Sequence, residues 1–167
     1  LKLKIERDGG VIRYRRESRE GQVEKLLASL SGSVIISPVE PVNLPTEVAK
    51  YLQIEFPPLI IGPKESQTVY LTFPLEIGVF LATRDSHEVI DVFSYERAKY
   101  TLYGSPRSGV ICRWHASRIH TEVPKADPLR EGVLELHVSN EAETWAEVAC
   151  AVFTAFGIRL YYDGRFV

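Results

Sequence analysis

Short apolar and β-branched runs alternate with Pro, Gly, Ser and Asp between residues 33 and 103, and almost no helical period appears there. Runs of this length, bounded by turn residues, are typical of β-strands. Over the whole chain there are roughly a dozen, with turn signals about every eight to twelve residues, the spacing of sandwiches and barrels. The pattern predicts an all-β fold, an antiparallel β-sandwich of the immunoglobulin-like or jelly-roll type with at most one or two short helices. Two immunoglobulin-like halves fused through a shared core are the alternative.

The first thirty residues carry two different patterns. Residues 1–5 alternate apolar and charged side chains, and an Asp-Gly turn signal at residues 8–10 separates them from the apolar-rich residues 11–15. This arrangement predicts a β-hairpin. Val23, Leu26, Leu27 and Leu30 are spaced as on one helix face, which predicts a helix of about three turns. A strand paired with residues 11–16 is the alternative for this segment.

Prolines limit which segments in the middle of the chain can form central strands. The three prolines among residues 38–45 cannot donate to a central strand, so this stretch should follow an edge or cross the end of the sandwich. Thr46 is expected to cap one helical turn, and a strand at 51–56 is expected to stop at Pro57-Pro58. Further strands are predicted at 34–36, 59–61, 68–73, 75–81, 88–93, 99–103, 110–114, 133–138, 145–153 and 158–162.

The composition is that of an ordinary globular protein, with 45% hydrophobic and 25% charged residues in 167 positions. One domain over residues 1–167 is the default, and residues 1–30 as a peripheral N-terminal extension are a variant of it. No apolar run approaches the roughly 18 residues of a membrane helix, and no secretory signal is visible, so a cytoplasmic location is expected. Cys112 and Cys150 are expected to be reduced thiols.

Charge argues against nucleic acid as a partner. Residues 1–25 hold eight Lys or Arg against five acids, but the two signs are interleaved along the segment. A nucleic-acid site is normally a denser basic patch with aromatic side chains. We therefore expect a solvated strand face here.

Cys112, His115 and His120 are the tightest group of metal-ligand residue types, with Cys150 or His137 available as a fourth ligand. An extended strand at 110–115 would place Cys112 and His115 on opposite faces, because their spacing is odd. A core cysteine beside surface histidines is therefore favoured. No cofactor is expected, and one transition-metal ion is the alternative.

Two carboxylates, Glu76 and Asp91, stand inside apolar strand runs. A hairpin of 75–81 with 88–94 would put Asp91 opposite a position near Phe80, about four residues or roughly 13 Å from Glu76. That distance is too long for a shared proton. We expect solvent-facing placement or a buried hydrogen bond for each of them.

Residues 104–109 contain two glycines but lack the Lys-Ser/Thr ending of a phosphate loop, and they predict a hairpin turn. Arg107 at its tip, with Arg113 and Arg118, is a candidate anion site. Tyr103 and Trp114 are candidates for contact with a sugar ring or a partner protein. No Gly-x-Ser-x-Gly elbow is present, so the sequence supports no nucleophilic triad.

Five stretches, residues 38–45, 71–79, 90–94, 100–112 and 161–163, resemble the archaeal proteins catalogued as domain of unknown function number 432. The resemblance covers the chain from about residue 30 onward. It implies an archaeal cytoplasmic protein and no particular activity.

The scattered chemistry favours a non-catalytic binding or protein-interaction module, with an unknown protein or small molecule as its partner. A metal-dependent enzyme of the cupin or jelly-roll kind, using Cys112, His115 and His120, is one alternative, and a carbohydrate-binding module is another. Unpaired sheet edges allow a homodimer, which the prolines at 38–45 would block.

Overall fold

The computed structural model describes residues 1–18, 21–28, 32–42 and 49–162, and this part of the chain is all-β, with no helix. Nothing in these ranges forms a helix with the length and apolarity needed to span a membrane. The twelve strands are β1 (Lys2–Asp8), β2 (Val11–Ser18), β3 (Gly21–Ala28), β4 (Ser33–Val39), β5 (Tyr51–Ile61), β6 (Ser66–Pro74), β7 (Glu76–Ala82), β8 (His87–Phe93), β9 (Lys99–Tyr103), β10 (Val110–Ala116), β11 (Glu131–Ser139) and β12 (Ala146–Thr154).

The first three strands form an antiparallel sheet in the order β1-β2-β3. The predicted hairpin of β1 and β2 is confirmed, but the helix predicted from Val23 onward is wrong, because β3 pairs with β2 along its whole length. Val23 and Leu27 are four residues apart and share a face in a strand as well as in a helix. Leu26 distinguishes the two, since it lies on the other face of β3 and is exposed.

A second antiparallel sheet has the order β4-β7-β8. Pro38 lies in β4, which is an edge strand, as expected for the first of the prolines at 38–45. Residues 43–48, with the predicted cap at Thr46, lie outside the described residues. Apolar side chains of β2, β7 and β8 fill the space between this sheet and the β1-β2-β3 sheet, and we call them the second cluster: Tyr14, Ile77, Val79, Ile90 and Phe93.

The remaining strands form a four-stranded sheet in the order β12-β5-β10-β9 and the pair β11-β6. β5 and β10 are parallel, and the other pairs are antiparallel. Buried side chains between the sheet and the pair form the first cluster, in which Leu52, Ile54 and Leu71 are fully buried. Beyond β10, the backbone of His120 pairs with that of Tyr70 on β6, so the chain crosses from the sheet to the pair.

One predicted strand boundary is wrong. β5 does not stop at Pro57-Pro58, because the pairing with β12 shifts there: Val148 faces Leu59, and Cys150 faces Glu55. This bulge accommodates prolines that have no N–H for the ladder. On the other side, β10 pairs with β5 only as far as Glu55, so it needs no donor from the prolines.

No strand forms at 158–162, contrary to prediction. Ile158 and Leu160 instead pack against the first cluster. Their alternation reflects contact with the core, which needs no neighbouring strand.

Candidate functional site

The two clusters are joined by a buried group of three polar side chains. Arg113 extends from β10, Glu76 begins β7, and Ser94 follows β8. Nη1 of Arg113 donates to Oε1 of Glu76, and Nη2 donates to Oγ of Ser94 at 3.2 Å. Ser94 Oγ in turn donates to the same Glu76 oxygen at 3.3 Å. Because the Arg113 and Glu76 side chains are only 5% and 2% exposed, this is a buried ion pair between sheets of different clusters.

His115 follows on the same face of β10. Its Nε2 lies 3.3 Å from Oγ1 of Thr72 and 3.8 Å from Oε1 of Glu131, at the start of β11. Burial lowers the pKa of His115, with Glu96 opposing and Arg113 assisting that shift. Burial raises the pKa of Glu131, and the nearby carboxylates of Glu96 and Asp127 raise it further. Desolvation therefore disfavours the charged form of both groups.

Arg113, His115 and Glu131 form the floor of a recess. Tyr95, Glu96 and Arg130 form the rim above this floor. The guanidinium carbon of Arg130 lies 5.4 Å from the centre of the Tyr95 ring. Arg130 also contacts Asp127 at 3.3 Å and Glu96 at 4.0 Å. The rim thus combines an aromatic face with charges of both signs.

A cleft, which we call the junction cleft, opens between these floor and rim residues. Its inner part is small, with a cavity volume of about 20 Å³, room for about one water molecule, and is lined by Arg113, His115 and Glu131, among others. It shares Ser94, Tyr95, Glu96 and Arg130 with a wider recess of about 600 Å³, to which Arg97 and Ser18 contribute. The wider recess lies within the roughly 300–1,000 Å³ of ordinary small-molecule sites.

The second buried carboxylate, Asp91, lies inside the second cluster and not at the junction cleft. Nε of Arg16 donates to Asp91 Oδ2 at 2.6 Å, and the hydroxyl of Tyr14 donates to the same atom at 2.7 Å. Burial and the Asp91 hydrogen bond raise the pKa of Tyr14. The expected buried hydrogen bonds are thus present for both carboxylates. The register agrees with the expected position near Phe80, because Asp91 pairs with Val79, and an irregularity then places Phe80 opposite Val89.

The three residues predicted to bind metal are not assembled into a site. All three are described, and within the described residues no three His, Cys, Asp or Glu side chains are placed to hold an ion. Cys112 and His115 lie on opposite faces of β10, and the Cys112 thiol is within 3.7 Å of the Val110 carbonyl oxygen. Burial raises the pKa of that thiol. Cys112 and Cys150 are both unpaired thiols.

The four predicted ligand-binding residues are divided between two faces. Tyr103 and Trp114 lie on the Cys112 face, where Lys99 Nζ is 5.2 Å from the Trp114 ring centre, whereas Arg113 lies on the other face. Arg107 is exposed in the predicted turn, far along the hairpin from the junction. Gly104 has a φ of 98°, and any Cβ on Gly109 would lie 2.7 Å from the Ser105 carbonyl oxygen, so both glycines serve this turn.

Sequence reasoning missed Ser94, Arg130 and Glu131 as cleft residues, and Arg16 as the partner of Asp91. Glu131 and Arg130 follow an Asp-Pro turn signal, which is ordinary strand punctuation. A charged residue at the start of a strand is mostly exposed, so nothing in the local pattern indicates a cleft. Arg16 alternates with other charged residues on β2 and carries no special signal either.

A family model described as Protein of unknown function (DUF432) matches residues 1–167. This match confirms the resemblance noted from five stretches of sequence and extends it over the first thirty residues. No curated protein and no solved structure matches the chain.

Proposed function

The chain belongs to the family described as Protein of unknown function (DUF432), whose description names no activity, and we propose that it is a non-catalytic binding module. Its ligand site is the junction cleft. The observation that carries this proposal is the buried Arg113–Glu76–Ser94 group beneath a rim with charges of both signs. A cleft with perturbed titratable groups and convergent polar atoms is the default place to look for a ligand.

The rim favours a small zwitterion of about the size of an amino acid. Glu96 and Glu131 offer carboxylates to an amino group, while Arg97 and Arg130 offer guanidinium groups to a carboxylate. Paired charges of opposite sign recognise such a ligand better than one that carries a single charge. The Tyr95 ring supplies a rigid face beside them.

The arrangement of His115 favours binding over proton relay. Its Nε2 faces both Thr72 and Glu131, whereas a relay needs the nucleophile and the orienting carboxylate on different ring nitrogens. Burial instead opposes the charged form of both groups, lowering the pKa of His115 and raising that of Glu131, and the neutral imidazole can serve as a hydrogen-bond partner.

The test is a calorimetric titration of the full chain with glycine, glutamate and lysine, and with acetate, ethylamine and glucose as controls. We expect saturable one-site binding of at least one zwitterion, about tenfold tighter than either singly charged analogue. Arg130→Gln should weaken it, whereas Arg118→Gln, an exposed arginine that does not line the cleft, should leave it unchanged.

Binding of none of the zwitterions would overturn the proposal, and so would equal binding of acetate or ethylamine. Binding of glucose alone would support the carbohydrate-binding alternative, for which Trp145 is the most exposed tryptophan. Close to one transition metal per purified chain, lost in His115→Ala, would support the metal-dependent enzyme.

We also propose a finer description of the fold, in which each cluster is the core of a two-layer β-sandwich. Both clusters draw side chains from two facing sheets, which is how sandwich cores are built. The proposed location is the cytoplasm, which suits two unpaired thiols. The expected result is that a thiol reagent labels both cysteines when the protein is denatured directly from cells without prior reduction, because Cys112 is buried in the folded protein.

A further inference from the structure

A second recess, separate from the junction cleft, lies along the β6-β11 pair, and we call it the apolar groove. The pair contributes Tyr70, Val133 and Glu135, the segment after β10 contributes Val123, and residues 158–161 complete the lining. Its cavity volume is about 310 Å³. It shares no lining residue with the cleft, so the two sites can be tested independently.

Most of the groove lining is apolar and only part of it is covered. Phe73 is buried and Ile158 packs on the first cluster, yet Val123 is 50% and Tyr161 is 77% exposed at the same recess. Exposed large apolar side chains around a concave surface indicate a place where another apolar group binds.

The charges of the groove favour an anionic ligand. Glu135 lies opposite Tyr70 in the β6-β11 register, and its carboxylate raises the pKa of the Tyr70 hydroxyl. Arg159 is exposed and makes no ion pair with any other described residue. One acid of the groove is thus engaged by a neighbour, and its one arginine is available for an external carboxylate.

We propose that the apolar groove binds a free medium-chain fatty acid, with the carboxylate on Arg159 and the chain along Val123, Val133 and Ile158. A chain of about ten to twelve carbons fits a recess of this size class. The apolar lining holds the chain by the hydrophobic effect, which grows with the number of CH₂ groups buried. The guanidinium group selects a carboxylate over a neutral or cationic head group.

The test is calorimetric titration of the full chain with dodecanoate below its micelle concentration. We expect one saturable site, with dodecyltrimethylammonium at least tenfold weaker, because it lacks the charge-assisted hydrogen bond. Arg159→Gln should weaken dodecanoate by about tenfold and Arg159→Lys by less. Val123→Glu should weaken it too, whereas Ile60→Glu, an equally exposed apolar position outside the groove, should not.

Three results would overturn the proposal. The first is equal binding of dodecanoate and dodecyltrimethylammonium, which would indicate nonspecific adsorption. The second is an unchanged dodecanoate affinity in Arg159→Gln. The third is binding only to phosphatidylglycerol vesicles, which would indicate a membrane surface as the partner. Circular dichroism of each variant checks that it folds, and these exposed positions lie outside both clusters.

Discussion

Two buried arginine–carboxylate pairs lie in the described part of the chain, and they have different surroundings. Arg16 and Asp91 meet within the second cluster, with the Tyr14 hydroxyl as third partner. Arg113 and Glu76 meet between the clusters, with the Ser94 hydroxyl as third partner and a cleft beside them. The side chains of Arg113 and Glu76 are 5% and 2% exposed, against 11% for each of Arg16 and Asp91, so the pair beside the cleft is the more deeply buried. A buried ion pair is therefore a candidate for function only where a ligand can reach its neighbours.

The largest expected effects come from breaking the two buried pairs, beginning with Arg16 and Asp91 in the second cluster. Asp91→Asn leaves the Arg16 guanidinium buried without a counter-charge, and we expect a loss of about 3 kcal/mol in the free energy of unfolding. Urea unfolding followed by circular dichroism measures it. The double variant Arg16→Met/Asp91→Leu should recover most of the loss, since it leaves no charge behind. A double variant less stable than Asp91→Asn would contradict this account.

Breaking the pair at the junction should cost at least as much, because its side chains are the more deeply buried. In Glu76→Gln the Arg113 guanidinium keeps its hydrogen bond to Ser94, as Arg16 keeps its hydrogen bond to Ser18 in Asp91→Asn, so we again expect a loss of about 3 kcal/mol. The same urea experiment compares the two variants directly. A much smaller loss in Glu76→Gln would contradict this expectation and would show that water from the cleft solvates Arg113.

The third partners sharpen the comparison. Tyr14→Phe removes a hydrogen bond to a buried carboxylate and should cost about 1.5 kcal/mol of unfolding free energy. Tyr70→Phe is the matched control, because that hydroxyl is on the surface and its loss should not shift the urea midpoint. A shift as large in the control would mean that the Tyr14 hydroxyl has no special role.

Stability should depend on pH through His115 at the junction cleft. The folded-state pKa of His115 is below its usual 6.5, so the unfolded chain binds the proton more readily. The stabilisation from neutral His115 is complete above pH 6.5 and is lost as pH falls through the lowered pKa. Urea midpoints at pH 7.5, 6 and 5 should therefore decline less in His115→Gln than in the natural sequence.

Glu131, at the same site, should change the stability with pH in the opposite direction to His115. Its pKa is raised above 4.5, so its contribution is complete below pH 4.5 and is lost as pH rises through the raised pKa. Glu131→Gln should thus raise the urea midpoint at neutral pH. A lower midpoint at pH 7.5 would show that the charged carboxylate contributes more through its partners than burial costs.

The smallest effect is expected on the exposed hairpin. Lys4 and Glu6 form an ion pair at 2.7 Å with both side chains about half exposed. Solvent and salt screen such pairs, so Lys4→Gln should leave the urea midpoint unchanged within error. A measurable loss would show that strand β1 is more tightly held than its exposure suggests.

Local sequence patterns predicted those parts of the fold in which a strand has one buried and one exposed face. The hairpin of β1 and β2, the hairpin of β9 and β10 and the edge position of Pro38 all follow from alternation and turn chemistry. Val23 and Leu27 led to the wrong prediction of a helix, because residues four apart share a face in a helix and also in a strand. The prolines at 57 and 58 led to the wrong prediction that the strand ends there, because only the partner strand decides whether a bulge accommodates them.

The candidate site was predicted in part. Arg113 and His115 were selected, but for an anion site and a metal site, and Glu76 was set aside because its distance from Asp91 is too long for a shared proton. That distance argument was sound, yet each carboxylate pairs with an arginine far along the chain, Glu76 with Arg113 and Asp91 with Arg16. The spacing of residues along the sequence does not show which arginine pairs with which carboxylate.

The sequence alone determined the all-β class, the membership of the family and the places where the chain turns, because these depend on neighbouring residues and on composition. The tertiary structure decided which sheets face each other, which arginine meets which carboxylate and where the two recesses open. The physical reason is the distance along the chain over which each interaction acts. Alternation and turn chemistry act over a few residues, whereas burial of a charge depends on residues that only folding brings together.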